Sequence, residues 1–264
     1  APMIGDSNLE QVVVASYSTY IDPETDLDLP AEVAAPAWSQ EMPGVVSWEA
    51  AMAGEHTPAP HTATPDDLAV IPYSSGTTGA PKGCMHTHRS VMATAIHRIF
   101  WTLATPDSVQ LATLPFFHVT GMTGSMNGPI AAGAASVIMT RWGRTNASRL
   151  IERYKVTGWT NIVTMAVDFL SNPDIGKYDL SSLNMIGGGG ATMPSAVAEK
   201  LKRMTGLDYI EGYGLSETMA ATHINPNAHP KSQCLGIPVF DVDSRIIDVD
   251  TLDDLDAAAA AFRL

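Results

Sequence analysis

The segment Tyr73–Gly83 combines glycines, hydroxyl side chains and one lysine, a composition that suits the binding of phosphate groups. Glycines let the backbone curl so that several N–H groups face one anion, and Lys82 adds a positive charge. The nearest alternative is the Walker-type phosphate loop, but Pro81 and Gly83 stand where that pattern needs glycine and serine or threonine. The candidate phosphate-binding residues are Ser74, Ser75, Gly76, Thr77, Thr78, Gly79 and Lys82.

Further motifs follow this loop in order along the chain. They are Leu114–His118, Gly187–Ala191, Glu211–Thr218 and the stretch from Lys231 through Gly236-Ile237-Pro238. With the loop, they resemble the signature of the adenylate-forming superfamily, which includes acyl-CoA synthetases, peptide-synthetase adenylation domains and luciferases. The resemblance covers about residues 67 to 248, and residues 160–168 and 216–226 are most similar to the fatty-acyl-CoA synthetase branch.

The resemblance implies a site for ATP and magnesium. The residues that it assigns to the nucleotide beyond the loop are Gly188, Gly189, Gly190, Ala191, Glu211, Gly212, Tyr213, Gly214 and Ser216. The ring of Tyr213 is flat enough to stack on an adenine, and the hydroxyl of Ser216 suits an α-phosphate oxygen. Glu217 is the candidate Mg²⁺ ligand, because Mg²⁺ is usually held by one or two carboxylates together with phosphates. Since residue 192 is threonine, the glycines do not complete a dinucleotide-binding motif.

The chemistry implied by the resemblance has two steps: a carboxylate attacks the α-phosphorus of ATP, and coenzyme A then displaces AMP. The candidate catalytic residues are His118, Lys82 and Ser216, and the candidate substrate pocket consists of His118, Trp159, Val163 and Gly189. Plain core packing is the alternative for Trp159 and Val163, and a structural role is the alternative for His118. We interpret His86 and His88 as capping or surface residues rather than as a metal site.

The elements that position these motifs alternate between strand and helix. Predicted strands occupy residues 11–15, 68–71, 109–117, 135–139, 159–163, 184–186 and 209–210. Predicted helices lie near residues 48–52, from about Ser90, after a cap at Asn146, and after Pro194. Alternating strands and helices indicate an α/β fold with βαβ units and a largely parallel sheet. The resemblance identifies it as an incomplete N-terminal (large) domain of an adenylate-forming enzyme.

Composition narrows the class of partner. The chain has 264 residues and a formal net charge of −13, without the basic stripe that a nucleic-acid binder needs. Two cysteines 150 residues apart, Cys84 and Cys234, offer no disulfide framework, which favours a reducing, cytoplasmic location. No apolar run reaches the roughly 18 residues of a membrane span. Peripheral membrane contact of a longer parent and a homo-oligomer are further expectations.

We expect three regions: a partial N-terminal strand with an irregular segment (residues 1–66), the nucleotide- and acyl-binding core (67–250), and a truncated or added tail (251–264). The family's ribose-binding aspartate segment and its small C-terminal domain with a catalytic lysine are not found in the sequence. We therefore expect a fragment of a fatty-acid–CoA ligase that is inactive or weak by itself. The alternatives are an adenylate-former for amino or aryl acids and a non-catalytic nucleotide-binding or interaction module.

Overall fold

The computed structural model describes residues 9–54, 57–74 and 79–245. Its strands are β1 (Val12–Val14), β2 (Val45–Ser47), β3 (Leu68–Val70), β4 (Tyr73–Ser74), β5 (Lys82–Gly83), β6 (His86–Thr87), β7 (Val109–Ala112), β8 (Ala135–Ile138), β9 (Gly158–Ile162), β10 (Met185–Gly189), β11 (Tyr209–Leu215), β12 (Ala220–Ile224) and β13 (Ile237–Pro238). Its α-helices are α1 (Ala31–Ala34), α2 (Trp48–Met52), α3 (His88–Thr102), α4 (Val119–Gly121), α5 (Gly128–Ala132), α6 (Arg144–Tyr154), α7 (Val163–Leu170) and α8 (Ser195–Thr205). A π-helical segment, Met122–Asn127, joins α4 to α5.

A sheet with strand order β13-β12-β11-β10-β9-β7-β8 forms the centre of the fold. The strands from β8 to β11 are parallel, whereas β12 and β13 pair antiparallel. Parallel strands need crossover connections, and α6, α7 and α8 lie in those connections. This arrangement confirms the predicted α/β fold with a mostly parallel sheet.

Successive side chains of a strand point to opposite faces, and the two faces of this sheet have different surroundings. On one face, here called the core face, Trp159, Ile186 and Tyr209 pack in a fully buried cluster with Ile151 of α6 and Phe169 of α7. Burial of such side chains contributes roughly 1.5–3 kcal/mol each to folding. The opposite face, here called the cavity face, lies beneath α3 and the π-helical segment.

Several elements differ in extent from their predictions. The strand that begins at Val109 ends at Ala112 rather than Phe117, because Pro115 lacks the N–H that a ladder would need. The glycines from Gly187 to Gly189 belong to strand β10 instead of following it. Asn146 does not cap α6; the helix begins at Arg144, and the Asn146 amide donates to the carbonyl of Asp28.

The residues from 22 to 54 are held to the sheet domain by ion pairs. Asp26 pairs with Arg149 and Arg153 of α6, and Glu32 of α1 pairs with Arg141. The predicted strand near residue 12 and the helix at residues 48–52 are both present, and β1 pairs in parallel with β2. Within the described residues, none of the helices has the length and apolar character needed to cross a membrane.

Candidate active site

A cavity of about 360 Å³ opens on the cavity face of the sheet, beside the carboxyl ends of β10 and β11. In open parallel sheets, ligands commonly bind outside the carboxyl ends of the strands. The lining residues are Thr94, His97, Arg98, His118, Val119, Thr120, Thr123, Gly124, Thr160, Gly187, Gly188, Gly189, Gly190, Ile210, Gly212, Tyr213, Gly214, Leu215, Ser216, Glu217, Ala220, Ala221 and Ile224. The cavity thus brings together three motifs that the sequence keeps up to 100 residues apart.

The glycine run forms a wall in which backbone replaces side chains. A Cβ added at Gly188 would collide with the carbonyl oxygen of Asn161, and one added at Gly189 would collide with the carbonyl oxygen of Gly212. Gly190 adopts a φ of +85°, a conformation that L side chains rarely adopt. The strand therefore presents bare backbone to the cavity.

The segment after Gly212 bends sharply at the cavity. Gly214 passes so close to Ala220 that any side chain there would overlap the Ala220 backbone. Met219 and Ala220 both have positive φ, at 54° and 89°, and such strain in non-glycine residues tends to occur at functional sites. The Tyr213 ring is 43% exposed, and it meets the His223 ring edge-on at 6.3 Å between centroids. One face of Tyr213 is thus available to a ligand.

A buried histidine ties the phosphate-loop region to this bend. His86 Nε2 lies 2.7 Å from the carbonyl oxygen of Ser216, so the ring nitrogen donates and the carbonyl accepts. His86 is buried, contrary to the expectation of a capping or surface residue. The contact joins residues that are 130 positions apart in the sequence. It holds Ser216, the neighbour of Glu217, against strand β6, which begins four residues after Lys82.

Lys82 lies on β5, which pairs with β4 so that Lys82 faces Ser74 across a hairpin. Its side chain is exposed, and four residues of chain, at most about 14 Å long, separate it from His86. The predicted loop residues Ser75, Gly76, Thr77 and Thr78 lie outside the described residues, as does the predicted tail at 251–264. Lys82 does not line the cavity, and the described chain connects it to the bend at Ser216 through His86.

His118 lines the cavity and has a fixed orientation. Its Nδ1 accepts a hydrogen bond of 3.2 Å from the Thr120 backbone N–H, which places His118 at the N-cap of α4. A neutral imidazole that accepts at Nδ1 carries its hydrogen on Nε2. His118 can therefore donate from Nε2 to a carboxylate or phosphate oxygen in the cavity.

Glu217 offers a single exposed carboxylate at the cavity. Among the described residues there is no group of three or more His, Cys, Asp or Glu side chains that could enclose a metal ion. The Glu217 carboxylate fits Mg²⁺ as one ligand among several, since Mg²⁺ commonly takes one carboxylate and completes its shell with phosphates and waters. Glu217 alone would not select a metal without a bound nucleotide.

Other predicted site residues lie elsewhere. Trp159 is fully buried on the core face, stacked on Trp142 at 5.5 Å between centroids, so core packing replaces the predicted pocket role. Val163 begins α7 and packs against the same core cluster. The Glu211 carboxylate accepts from the backbone N–H groups of Met193 (3.2 Å) and Gln233 (2.7 Å). Its bonds are therefore structural, and neither Glu211 nor Ala191 lines the cavity.

The structure adds lining residues that the sequence reasoning missed. Thr94, His97 and Arg98 come from α3, and Thr123 and Gly124 come from the π-helical segment. The available signal was the spacing of Thr94 and Arg98, four residues apart on one helix face. This polar stripe lies beside the apolar stripe that contains Ala95 and Ile99.

The fold and the cavity define a nucleotide-binding α/β domain of the adenylate-forming type. Residues 4–259 match the family model described as AMP-binding enzyme, and the chain belongs to this family. It is 35% identical over 161 residues to a long-chain-fatty-acid–CoA ligase of Bacillus subtilis (strain 168), covering 60% of this chain and 29% of that protein. It is 31% identical over 201 residues to a 4-coumarate–CoA ligase of Pinus taeda, covering 72% and 37%.

Among solved structures, the anthranilate CoA ligase AuaEII in complex with anthranoyl-AMP superimposes with a TM-score of 0.62 at 27% identity. The match covers 67% of this chain and 34% of that chain. The chain therefore spans about a third of the length of its relatives. These comparisons confirm the resemblance to adenylate-forming enzymes that the motifs predicted.

Proposed function

We propose that this chain forms the ATP- and acid-binding part of an enzyme that activates a carboxylic acid as an acyl adenylate and transfers the acyl group to coenzyme A. The observation that carries the proposal is the hydrogen bond between His86 and Ser216, with Glu217 lining the cavity next to it. It joins strand β6, which follows the lysine-containing hairpin, to the bend that carries Glu217. Membership of the AMP-binding family supports the same proposal.

The first reaction is a substitution at phosphorus. A carboxylate oxygen of the acid bonds to the α-phosphorus of ATP, the bond from that phosphorus to the bridging oxygen breaks, and pyrophosphate leaves. In the second reaction, the coenzyme A thiol gives up its proton to solvent, its sulfur bonds to the acyl carbon, and AMP leaves with the electron pair of the broken bond. Both steps depend mainly on positioning and charge stabilisation.

The roles of the residues follow from their chemistry. Lys82 and the loop amides bind the leaving pyrophosphate, and the Ser216 hydroxyl together with His118 Nε2–H donates to oxygens at the reacting centre. Tyr213 and the backbone of Gly188–Gly190 hold the adenine. A magnesium ion bound with the nucleotide would offset phosphate charge, and Glu217 is the residue that would hold it.

The names of the relatives indicate two classes of carboxylic acid substrate. The Bacillus subtilis relative is by its name a ligase of long-chain fatty acids, and the Pinus taeda relative is by its name a ligase of 4-coumarate. Both a fatty acid and an aryl acid are therefore candidate substrates for this chain. A fatty acid remains the prediction from the motifs.

Nucleotide binding tests the proposal without turnover. We expect calorimetry to show MgATP binding by the chain, and Lys82→Ala to weaken it about tenfold or more, because a charge-assisted hydrogen bond contributes about 1.5–3 kcal/mol. Glu217→Gln should weaken binding only when Mg²⁺ is present. Lys177→Ala and Glu199→Gln are the matched controls, since both side chains are exposed and neither residue lines the cavity.

Unchanged affinity in both Lys82→Ala and Glu217→Gln would contradict the proposal and favour a role unrelated to this site. Acid-dependent ATP–pyrophosphate exchange provides the second readout. We expect the chain alone to give exchange at or near background, since it spans about a third of its relatives' length. Robust exchange would show that the chain is active by itself.

A further inference from the structure

The inner wall of the cavity carries polar groups that have no partner within the described residues. The hydroxyl of Thr123 and Nδ1 of His97 are both buried without a hydrogen bond, although the two residues are only 5% and 9% exposed. Both line the cavity together with Arg98. Buried polar groups in proteins are nearly always hydrogen-bonded, so these two groups are available to a polar group bound in the cavity.

Arg98 is the exception among the arginines that the structure describes. Seven of them have a carboxylate oxygen within 4.0 Å. Arg98 has none there; its Nη2 donates instead to the hydroxyl of Thr160. A guanidinium carries five N–H donors, so most of its capacity is left for a ligand.

The position of Arg98 is deep in the cavity. Thr160, its hydrogen-bond partner, pairs with Gly187 in the sheet, whereas Gly189 pairs with Ile162 two residues further along β9. Two residues of strand correspond to about 7 Å. Gly124 leaves room at this level, since a Cβ there would make only van der Waals contact with Thr160. The Arg98 guanidinium, bonded to Thr160, therefore lies at the level of Gly187, about 7 Å along the strand from Gly189.

Burial leaves the Arg98 cation poorly compensated. Burial lowers the pKa of Arg98 to about 10, so the group is still charged at neutral pH. A desolvated charge without a counter-ion is unfavourable, and a carboxylate is the group whose geometry matches a guanidinium, through two parallel hydrogen bonds. An alkyl tail at this depth would leave the cation, Thr123 and His97 unpaired.

We propose that Arg98 binds a second carboxylate at the far end of the substrate, so that the acid activated in this cavity is a dicarboxylic acid rather than a simple fatty acid. The assignment rests on the proposed function, because it places the reacting carboxylate near His118 and the second one at Arg98. Thr123 and His97 supply further polar contacts to the distal group. Sites built to bind a polar group reject analogues that lack it by large factors.

The test uses non-hydrolysable acyl-adenylate mimics, in which a sulfamoyl group replaces the phosphate. Pairs of equal chain length end either in a methyl group or in a carboxylate, over lengths from four to eight acyl carbons. We expect the chain to bind the carboxylate-ended member at least tenfold more tightly at one length or more, by calorimetry. Arg98→Met should abolish that preference while leaving the affinity for ATP unchanged.

Arg89→Met is the matched control, since Arg89 lies on the same helix but is exposed and paired with Asp66. Equal or tighter binding of the methyl-ended mimics at every length would overturn the assignment, as would an equal loss for both members in Arg98→Met. If Arg98→Met does not fold, the test compares how much more tightly the wild-type chain and Arg98→Lys each bind the carboxylate-ended mimics than the methyl-ended ones. Failure of all mimics and of ATP to bind would overturn the proposed function, and this assignment with it.

Discussion

The two faces of the central sheet differ in the partners of particular buried polar groups beside the strands. On the core face, the hydroxyl of Tyr209 donates to Asn161 at 3.1 Å, and the Glu211 carboxylate accepts from two backbone N–H groups. On the cavity face, the hydroxyl of Thr123 and Nδ1 of His97 have no partner among the described residues. The core-face groups named here hold the fold, whereas Thr123 and His97 line the space in which a ligand would lie.

Adjacent residues of one strand face opposite sides of the sheet. Thr160 lines the cavity, where its hydroxyl accepts from Arg98, whereas Asn161 beside it belongs to the core-face network. Burial, with a smaller effect from nearby Glu211, raises the pKa of Tyr209 well above its usual value, so its phenol stays a neutral donor. One strand thus contributes both structure and site because its side chains alternate between the faces.

Gly188→Ala should give the largest effect, because its Cβ would point into the core face. It would overlap the Asn161 carbonyl and lie 2.7 Å from the Tyr209 hydroxyl, both parts of a rigid network. We expect a loss of about 3 kcal/mol or more in the free energy of unfolding, measured by urea denaturation.

Gly124→Ala is the matched substitution on the cavity face. Its nearest contact would be Thr160 at 3.4 Å, so we expect a change within about 1 kcal/mol. Equal losses in the two variants would show that the faces do not differ in the way described.

His86→Phe should give an intermediate effect by removing the buried donor to the Ser216 carbonyl, which keeps only the 3.3 Å bond from the Met219 N–H. Loss of one hydrogen bond costs about 0.5–1.5 kcal/mol, and loosening of the bend should weaken MgATP binding about fivefold. Calorimetry checks the affinity. His88→Phe, at the exposed neighbouring position, is the control, and the same affinity in both variants would mean that His86 does not position the site.

His97 should give the smallest effect, visible as a dependence on pH. Burial lowers its pKa below the usual 6.5, and Asp241 opposes the shift only in part. As the pH falls, the unfolded chain therefore binds the proton before the folded chain does. The contribution of His97 to stability is complete above pH 6.5 and is lost as the pH falls through the folded pKa.

The measurement is urea unfolding of wild-type and His97→Gln chains between pH 8 and pH 5. We expect the variant to lose less stability on acidification than the wild type does, with His229→Gln as the control at an exposed position. A parallel pH dependence in wild type and His97→Gln would contradict the account of His97.

The sequence predicted the parallel sheet and the order of the motifs, because strand and helix periodicity and glycine-rich segments are local properties. It missed the His86–Ser216 contact, since a side chain bonded to a backbone carbonyl 130 residues away leaves no local pattern. It also assigned Trp159 to the pocket, although the neighbouring Thr160 faces the cavity. A shift of one residue reverses the face, and alternation alone does not say which face is open.

A crystal structure of the chain with Mg²⁺ and a non-hydrolysable ATP analogue would decide whether the loop and the bend form one nucleotide site. We predict the adenine against Gly188–Gly190 and Tyr213, the terminal phosphates at Lys82, and the metal ion shared between those phosphates and Glu217. A nucleotide bound away from the cavity, or phosphates that contact neither Lys82 nor the segment at Ser216, would contradict the account.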